Sequence, residues 1–125
     1  MTERRRNLSL LGLAASAVLV TAGCGGSAST PVPGGNSHRG AALISEIGCG
    51  ACHTIAGIDN ASGEVGPNLS GFAQRRVIAG RLSNTPQNLI RWIENPQAID
   101  PGNIMPNLGV SPQAARDIAA YLDHS

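Results

Sequence analysis

The chain has 125 residues, of which 42% are hydrophobic and only 2% are aromatic, and its formal net charge is +1. This length allows one small domain together with any targeting segment. All nine basic residues are arginines, and no basic run follows residues 4–6, so composition and charge argue against a nucleic-acid-binding protein.

The first 23 residues have the pattern of a targeting segment. Three arginines at positions 4–6 precede an apolar stretch over residues 8–22, which is too short for a permanent membrane span. The small residues Ala22 and Gly23 stand directly before Cys24, as in the lipobox of bacterial lipoproteins, although Thr21 occupies the usual place of a leucine. We therefore predict a lipoprotein-type signal peptide over residues 1–23, lipidation of Cys24, and export to the periplasmic or extracytoplasmic face of a membrane. An ordinary signal peptide that leaves Cys24 unmodified is the alternative.

Residues 24–38 are predicted to form a lipid-anchored flexible linker. Gly, Ser, Pro and Thr dominate this stretch, and Val32 is its only sizeable apolar residue. Such a segment buries too little apolar surface to offset the entropy that ordering costs. The folded domain is therefore expected over residues 39–125. A domain this small often needs stabilisation beyond its own core, which a large apolar cofactor would supply.

Three helices can be predicted in this domain, and no alternating strand pattern is found. The first covers residues 39–48, where apolar residues recur at helical spacing and Gly48 is a plausible stop. The second and third begin with the same chemistry, since Thr85 and Ser111 are N-cap candidates and each is followed by a proline. Their apolar stripes contain Leu89, Trp92 and Ile93 in the second helix, and Ala115, Ile118, Ala119 and Leu122 in the third.

The sequence GCGACH, residues 48–53, carries the strongest chemical signal. Cys49 and Cys52 can reach two points on one flat object because residues three apart lie on the same side of a helical turn. This allows thioether bonds to the two vinyl groups of a haem, and His53 can place a ring nitrogen on the iron. A zinc site and a thioredoxin-like dithiol are the alternatives. The first would need a second cluster of ligands, and the second a βαβ context, and neither is found.

The sixth position of such an iron has three candidate ligands. Met105 is the only methionine beyond the targeting segment, and it lies in the loop PGNIMPNLG rather than on a helix face. His/Met ligation is typical of electron-transfer cytochromes c. His38 and His124 are rival ligands, but both lie at the edges of the domain, and a methionine that only fills a gap in the packing is the remaining interpretation of Met105.

Four segments in this order resemble a class I cytochrome c, namely GCGACHTIAG, VGPNLSGFAQRR, NTPQNLIRWIENPQ and PGNIMPNLGVS. More specifically, residues 40–124 are similar to the cytochrome c domain fused to subunit II of some bacterial haem–copper oxidases. The resemblance implies an all-α cytochrome c fold, with three to five short helices wrapped around one covalently bound haem c. It also implies thioethers at Cys49 and Cys52 and axial ligands His53 and Met105.

The resemblance implies further site residues as well. The carbonyl of Pro67 would orient the axial histidine, and Arg75, Arg76, Asn84 and Trp92 match positions near the haem propionates. Class I cytochromes cross their first and last helices through a glycine and two aromatic residues. Here Gly40 and Tyr121 fit this pattern, but Ile44 replaces the first aromatic.

The expected function is that of a monohaem cytochrome c which carries single electrons and is not an enzyme. The chain lacks the dicopper ligands and membrane helices of an oxidase subunit II, so it is expected to be a separate protein that resembles only that subunit's C-terminal domain. Its expected partners are an oxidase, a reductase or a dehydrogenase, together with a membrane contacted through the lipid. The first alternative is a haem-binding electron-entry subunit of an oxidase or dehydrogenase complex. The second, which fits the sequence less well, is a peroxidase-like or gas-binding haem protein.

Overall fold

The computed structural model describes residues 31–125. The predicted signal peptide, Cys24 and the first part of the predicted linker lie outside these residues. The elements in chain order are α1 (Ser37–Ile47), a 3₁₀ turn (Cys49–Ala51), a second 3₁₀ turn (Phe72–Gln74), β1 (Val77–Ile78), β2 (Leu82–Ser83), α2 (Pro86–Glu94), α3 (Pro96–Ile99) and α4 (Pro112–Leu122).

Side-chain caps begin each long helix. The Thr85 hydroxyl accepts a hydrogen bond from the backbone N–H of Asn88 at the start of α2, and Ser111 accepts one from Ala114 at the start of α4. Both contacts satisfy an N–H group that has no partner inside the helix. The predicted starts of these two helices are confirmed.

The start of α1 corrects the predicted boundary between linker and domain. The helix begins at Ser37 rather than at residue 39, because the Asn36 side chain caps it by accepting a hydrogen bond from the Arg39 N–H at 2.9 Å. Upstream of the cap, Val32 is only 7% exposed, and the Asn36 N–H donates to the carboxylate of Asp117 at 2.8 Å. Residues from Val32 onwards therefore belong to the packed domain.

The helices α1 and α4 cross in close contact, and Gly40 marks the crossing point. A Cβ atom at Gly40 would lie 2.0 Å from the backbone oxygen of Asp117, so only glycine allows this approach. Ile44, which replaces the usual aromatic, is 1% exposed. The hydroxyl of Tyr121 on α4 donates a hydrogen bond to the carbonyl of Ala56 at 2.7 Å, which attaches the loop after the cysteine motif to this helix pair.

A small antiparallel hairpin was not expected from the sequence. It pairs Val77 with Ser83 and Ile78 with Leu82. Strands of two residues are too short to show an alternating pattern, which explains why no strand signal is visible. The turn between them places Ala79 and Gly80 in the left-handed region of backbone conformation, with φ of 50° and 68°.

Among residues 31–125, no helix is both long and apolar enough to cross a membrane.

The helices and loops enclose a core of apolar residues. The buried apolar residues are Val32, Ile44, Ile55, Ala61, Phe72, Ile78, Leu89, Trp92, Ile93, Ala115, Ile118, Ala119, Ala120 and Leu122.

Candidate haem site

The cysteine motif lies on a tight turn that directly follows α1. Gly48 ends the helix in a left-handed conformation, with φ of 83°, and the chain continues as a 3₁₀ turn from Cys49. The backbone N–H groups of Cys52 and His53 both donate to the carbonyl of Cys49, at 3.2 and 3.0 Å. This turn brings both cysteines and the histidine to the wall of one cavity.

The cavity has a volume of about 500 Å³, within the range of roughly 300–1,000 Å³ that is typical of cofactor and ligand sites. Its lining is mostly apolar and comes from the helices α1, α2 and α4 and from the loops between them. Cys49 and Cys52 are free thiols in this wall. Burial, which disfavours the thiolate, is the largest effect on Cys49 and raises the pKa of this thiol.

His53 is held by the loop that contains Gly66 and Pro67. Its Nδ1 lies 2.7 Å from the carbonyl oxygen of Pro67, which can only accept a hydrogen bond. The proton therefore lies on Nδ1, and the lone pair of Nε2 is available to a metal. The same loop is fixed to the cysteine turn, because the Gly66 N–H donates to the Cys52 carbonyl at 2.7 Å.

Gly66 allows the loop to pass directly against the imidazole. A Cβ atom at this position would lie 2.3 Å from Cε1 and 2.6 Å from Nδ1 of His53, closer than such atoms can approach. Its φ is not in the left-handed region, so the need for glycine arises from the contact with the ring and not from backbone conformation.

Two amide side chains position the Met105 backbone. Asn103 accepts a hydrogen bond from the Met105 N–H at 2.8 Å, and its own amide donates to the carbonyl of Asp100 at 2.7 Å. Gln97 on α3 donates to the carbonyls of Asn103 and Met105, at 2.8 and 2.7 Å. The loop is thus held from both sides, and the half-buried Met105 lines the same cavity as the cysteines and His53.

The sequence did not identify Gln97 and Asn103 as site residues. The only signal for them in the sequence is indirect. In a loop rich in glycine and proline, without secondary structure of its own, amide side chains can form the hydrogen bonds that backbone groups would otherwise form with one another.

Of the four residues matched to propionate-binding positions, Arg75 and Trp92 line the cavity. The guanidinium of Arg75 donates to the carbonyl of Asn68 and lies 5.5 Å from the centre of the Phe72 ring, a cation–π distance. Trp92 is 9% exposed.

Arg76 and Asn84 are not among the residues that line the cavity, and their position near the propionates stays a prediction. Arg76 is exposed, and the amide of Asn84 donates to the carbonyls of Phe72 and Arg75, at 3.2 and 3.0 Å. Asn84 therefore stabilises the turn that carries Arg75, because those two backbone oxygens occupy its amide group.

The rival ligands lie elsewhere. His38 and His124 line a separate depression beside Tyr121, between the start of α1 and the end of α4, and neither lines the large cavity. Within residues 31–125 there is no group of three or more histidine, cysteine and acidic side chains that could hold a metal ion, so the zinc alternative gains no support. The described sheet is a two-residue antiparallel pair, unlike the context of a thioredoxin-type dithiol.

An apolar cavity with two free cysteines and a histidine on one turn fits a covalently attached planar cofactor. This geometry defines the class of c-type cytochromes. The sequence matches the family model described as Cytochrome c over residues 37–125, and the chain belongs to that family.

Three curated relatives bear the name cytochrome c oxidase subunit 2. The chain is 36% identical to the protein of Alkalihalophilus pseudofirmus over 87 residues, which are 69% of this chain and 25% of that protein. It is 37% identical to the protein of Bacillus sp. strain PS3 over 46% of this chain and 17% of the relative. With the Bacillus subtilis protein it shares 32% identity over 55% of this chain and 20% of the relative. The chain thus spans a quarter or less of the length of these relatives.

These matches confirm the predicted class I c-type cytochrome, the mostly helical cytochrome c fold and covalent haem c as the cofactor. They also confirm the general function, which is haem-based electron transfer.

Proposed function

We propose that the chain is a monohaem cytochrome c that carries single electrons between membrane-associated redox proteins, with His53 and Met105 as axial ligands. When bound, the haem supplies a metal centre that alternates between the ferric and ferrous states. The observation that carries the proposal is that Cys49, Cys52, His53 and Met105 line one apolar cavity.

The residues of the chain have separable tasks in this function. The cysteines provide the covalent attachment, and the carbonyl of Pro67 holds the proton of His53 on Nδ1 so that Nε2 can be a ligand. Gln97 and Asn103 hold the backbone of Met105 by hydrogen bonds and so restrict the loop that carries the proposed ligand.

Two protein ligands leave no coordination position for oxygen or peroxide, which supports an electron carrier rather than an enzyme. Carbon monoxide tests this point, since it binds ferrous haem at an open position. We expect the reduced spectrum of the purified protein to change little when carbon monoxide is added. Rapid and complete binding would favour the peroxidase-like or gas-binding alternative.

Substitution of Met105 by leucine tests the ligand itself. Met105→Leu retains the haem, because the thioethers are unaffected, but it lowers the midpoint potential and abolishes the weak sulfur-to-iron absorption band in the near-infrared. The matched control is Ile104→Leu, a similarly conservative change at the preceding residue, which should retain the band. A band that persists in Met105→Leu would contradict the assignment.

Export, lipidation of Cys24 and a membrane location complete the proposal. They are supported by the arginine and apolar pattern of residues 1–23 and by the small residues before Cys24. The mass of the mature protein tests cofactor and anchor together, since one haem and the acyl chains each add a distinct increment. A mass with the haem increment alone would remove the lipid from the proposal.

The second candidate function is an electron-entry subunit of an oxidase or dehydrogenase complex. The names of the relatives favour it, because all three are oxidase subunits. Detergent extraction separates the two functions: a carrier leaves the membrane fraction as a single protein, whereas a subunit stays associated with a larger complex at constant stoichiometry.

A further inference from the structure

The chain directly before α1 is packed against the domain, although it falls inside the predicted linker. We call residues 32–36 the strap. Val32 at its start is 7% exposed, and Asn36 at its end caps α1. Between them, the Gly35 N–H donates a hydrogen bond to the Val32 carbonyl at 3.1 Å. The strap is therefore a folded part of the domain.

The strap lies directly on α4. A Cβ atom at Gly35 would lie 2.6 Å from the backbone oxygen of Arg116 and 2.8 Å from the Cβ of Ala120. Contacts this short do not occur between such atoms, so only glycine allows the strap to pass α4 at this distance. The approach of the two backbones is as close as the one at the crossing of α1 and α4.

Side chains of α4 also hold the backbone of the strap by hydrogen bonds. Gln113 donates to the Gly34 carbonyl at 3.0 Å, and the Asp117 carboxylate accepts from the Asn36 N–H at 2.8 Å. Asp117 is 2% exposed, so release of the strap would remove one donor from a buried carboxylate. Since a buried charged group that loses a partner is costly, these contacts keep the strap on the helix.

The strap and the haem cavity lie on opposite sides of α4. An α-helix has 3.6 residues per turn, so successive side chains are rotated by about 100° around its axis. On this geometry, the strap contacts are centred about 170° from Ile118 and Leu122, the α4 residues that line the cavity. The α4 residues in contact with the strap are Gln113, Arg116, Asp117 and Ala120. Helix α4 therefore separates the strap from the proposed haem site.

The docked strap shortens the part of the predicted tether that can extend freely. Only residues 25–31 lie between Cys24 and Val32, which is seven residues rather than the 14 that precede the predicted domain start at residue 39. Seven residues reach at most about 25 Å even when fully extended. A compact domain of this size is about 30 Å across, so the path over its surface from the strap to the opposite side is about 50 Å long.

We propose that the strap orients the anchored protein, because it fixes the point where the tether leaves the domain and so turns the haem site away from the membrane that holds the anchor. The inference rests on the proposed function, including the lipid anchor at Cys24. A tether that cannot span the distance between two sites gives a local concentration near zero. The electron partner is then a protein whose exchange site stands above the membrane surface, and not a redox molecule confined to the lipid.

Electron exchange with a probe at the membrane surface tests this orientation. The probe is a phospholipid whose headgroup carries ferrocenium, which accepts one electron from the ferrous haem and becomes ferrocene. It is mixed into vesicles that hold the lipidated, haem-loaded protein. The double variant Val32→Ser/Gly35→Ala releases the strap, because it removes buried apolar surface and adds a methyl group that clashes with α4.

Release of the strap adds five residues to the free chain and extends its reach to about 40 Å. We expect it to raise the rate of electron transfer to the ferrocenium lipid by about tenfold or more. The matched control Pro31→Ser/Pro33→Ser changes two exposed residues of the same segment and should alter the rate by less than about twofold.

A second variant leaves the strap intact and lengthens the tether. Insertion of a glycine- and serine-rich stretch of about 14 residues after Gly26 extends the reach to about 70 Å, which is longer than the path around the domain. It should raise the rate by about tenfold or more without any change in the domain itself. The near-infrared band of each variant verifies that the iron ligation is intact.

The orientation proposal is wrong if the wild type transfers electrons to the ferrocenium lipid as fast as the variant with the longer tether. It is also wrong if strap release has no larger effect than its control, or if the wild-type protein carries no acyl chain. A soluble ferrocenium salt separates these failures from failure of the carrier function. If all variants reduce that salt equally fast, the carrier function stands and only the orienting role of the strap is refuted.

Discussion

The substitution Gly66→Ala isolates the contact between the Pro67 loop and the imidazole of His53. Alanine has no conformational penalty at this position, because the φ of Gly66 is not in the left-handed region. The added methyl group would lie 2.3 Å from Cε1, whereas carbon atoms in contact are about 3.5–4.0 Å apart, so the ring must move by at least about 1.2 Å. A displacement of this size along the line from the Pro67 carbonyl oxygen to Nδ1 stretches their 2.7 Å contact to about 3.9 Å, beyond hydrogen-bonding distance.

The loss of this hydrogen bond has a calculable effect on the haem. Donation from Nδ1 to a carbonyl makes the imidazole a more basic ligand, which favours ferric iron. A typical net hydrogen bond contributes about 1 kcal/mol. Since 1.4 kcal/mol corresponds to about 59 mV for one electron, the full loss would raise the midpoint potential by about 40 mV. We therefore expect an increase of about 20–40 mV, because part of the interaction is retained in the ferrous state.

Potentiometric titration of the haem-loaded protein measures this shift. The matched control is Pro67→Ala, which retains the acceptor carbonyl and should leave the potential near that of the wild type. If Gly66→Ala has the wild-type potential, the close approach of Gly66 to His53 does not control the ligand and the reasoning is refuted.

Two further predictions concern the contact between α1 and α4. Gly40→Ala should lower the free energy of unfolding, measured by urea denaturation, by about 2–3 kcal/mol. The reason is that the added Cβ would lie 2.0 Å from the backbone oxygen of Asp117, so the two helices must separate. Unchanged stability would show that the helices cross less closely than described. The hydrogen bond from Arg39 is the largest of the effects that lower the pKa of Asp117 in the folded protein. The ionised carboxylate therefore stabilises the fold at pH values above the usual carboxyl pKa of about 3.9. This stabilisation is lost as the pH falls through the lower pKa that Asp117 has in the folded state. Asp117→Asn should therefore be less stable than wild type by about 1–3 kcal/mol near neutral pH, and the difference should shrink in acid; a difference independent of pH would contradict the role of the charge.

The sequence by itself determined the features that depend on residues close together in the chain. A serine or threonine followed by proline starts a helix through local hydrogen bonding, and α2 and α4 begin where this pattern predicts. The spacing of Cys49, Cys52 and His53 predicted the haem attachment for the same reason, because one turn of chain brings the three side chains together. Pro67 could be assigned through the family resemblance, and the structure shows its carbonyl at His53.

Only the tertiary structure decided the features that join distant segments. Val32 is buried although its neighbours have the composition of a linker, and the nearby Asn36 N–H donates to Asp117, 81 residues away in the sequence. The amide of Asn84 donates to two backbone carbonyls, and Gln97 donates to the carbonyl of Met105, eight residues further along the chain. Each of these polar groups can form hydrogen bonds with many different acceptors. The sequence therefore shows which residues carry donors, but the acceptor that each donor meets depends on how the helices and loops pack.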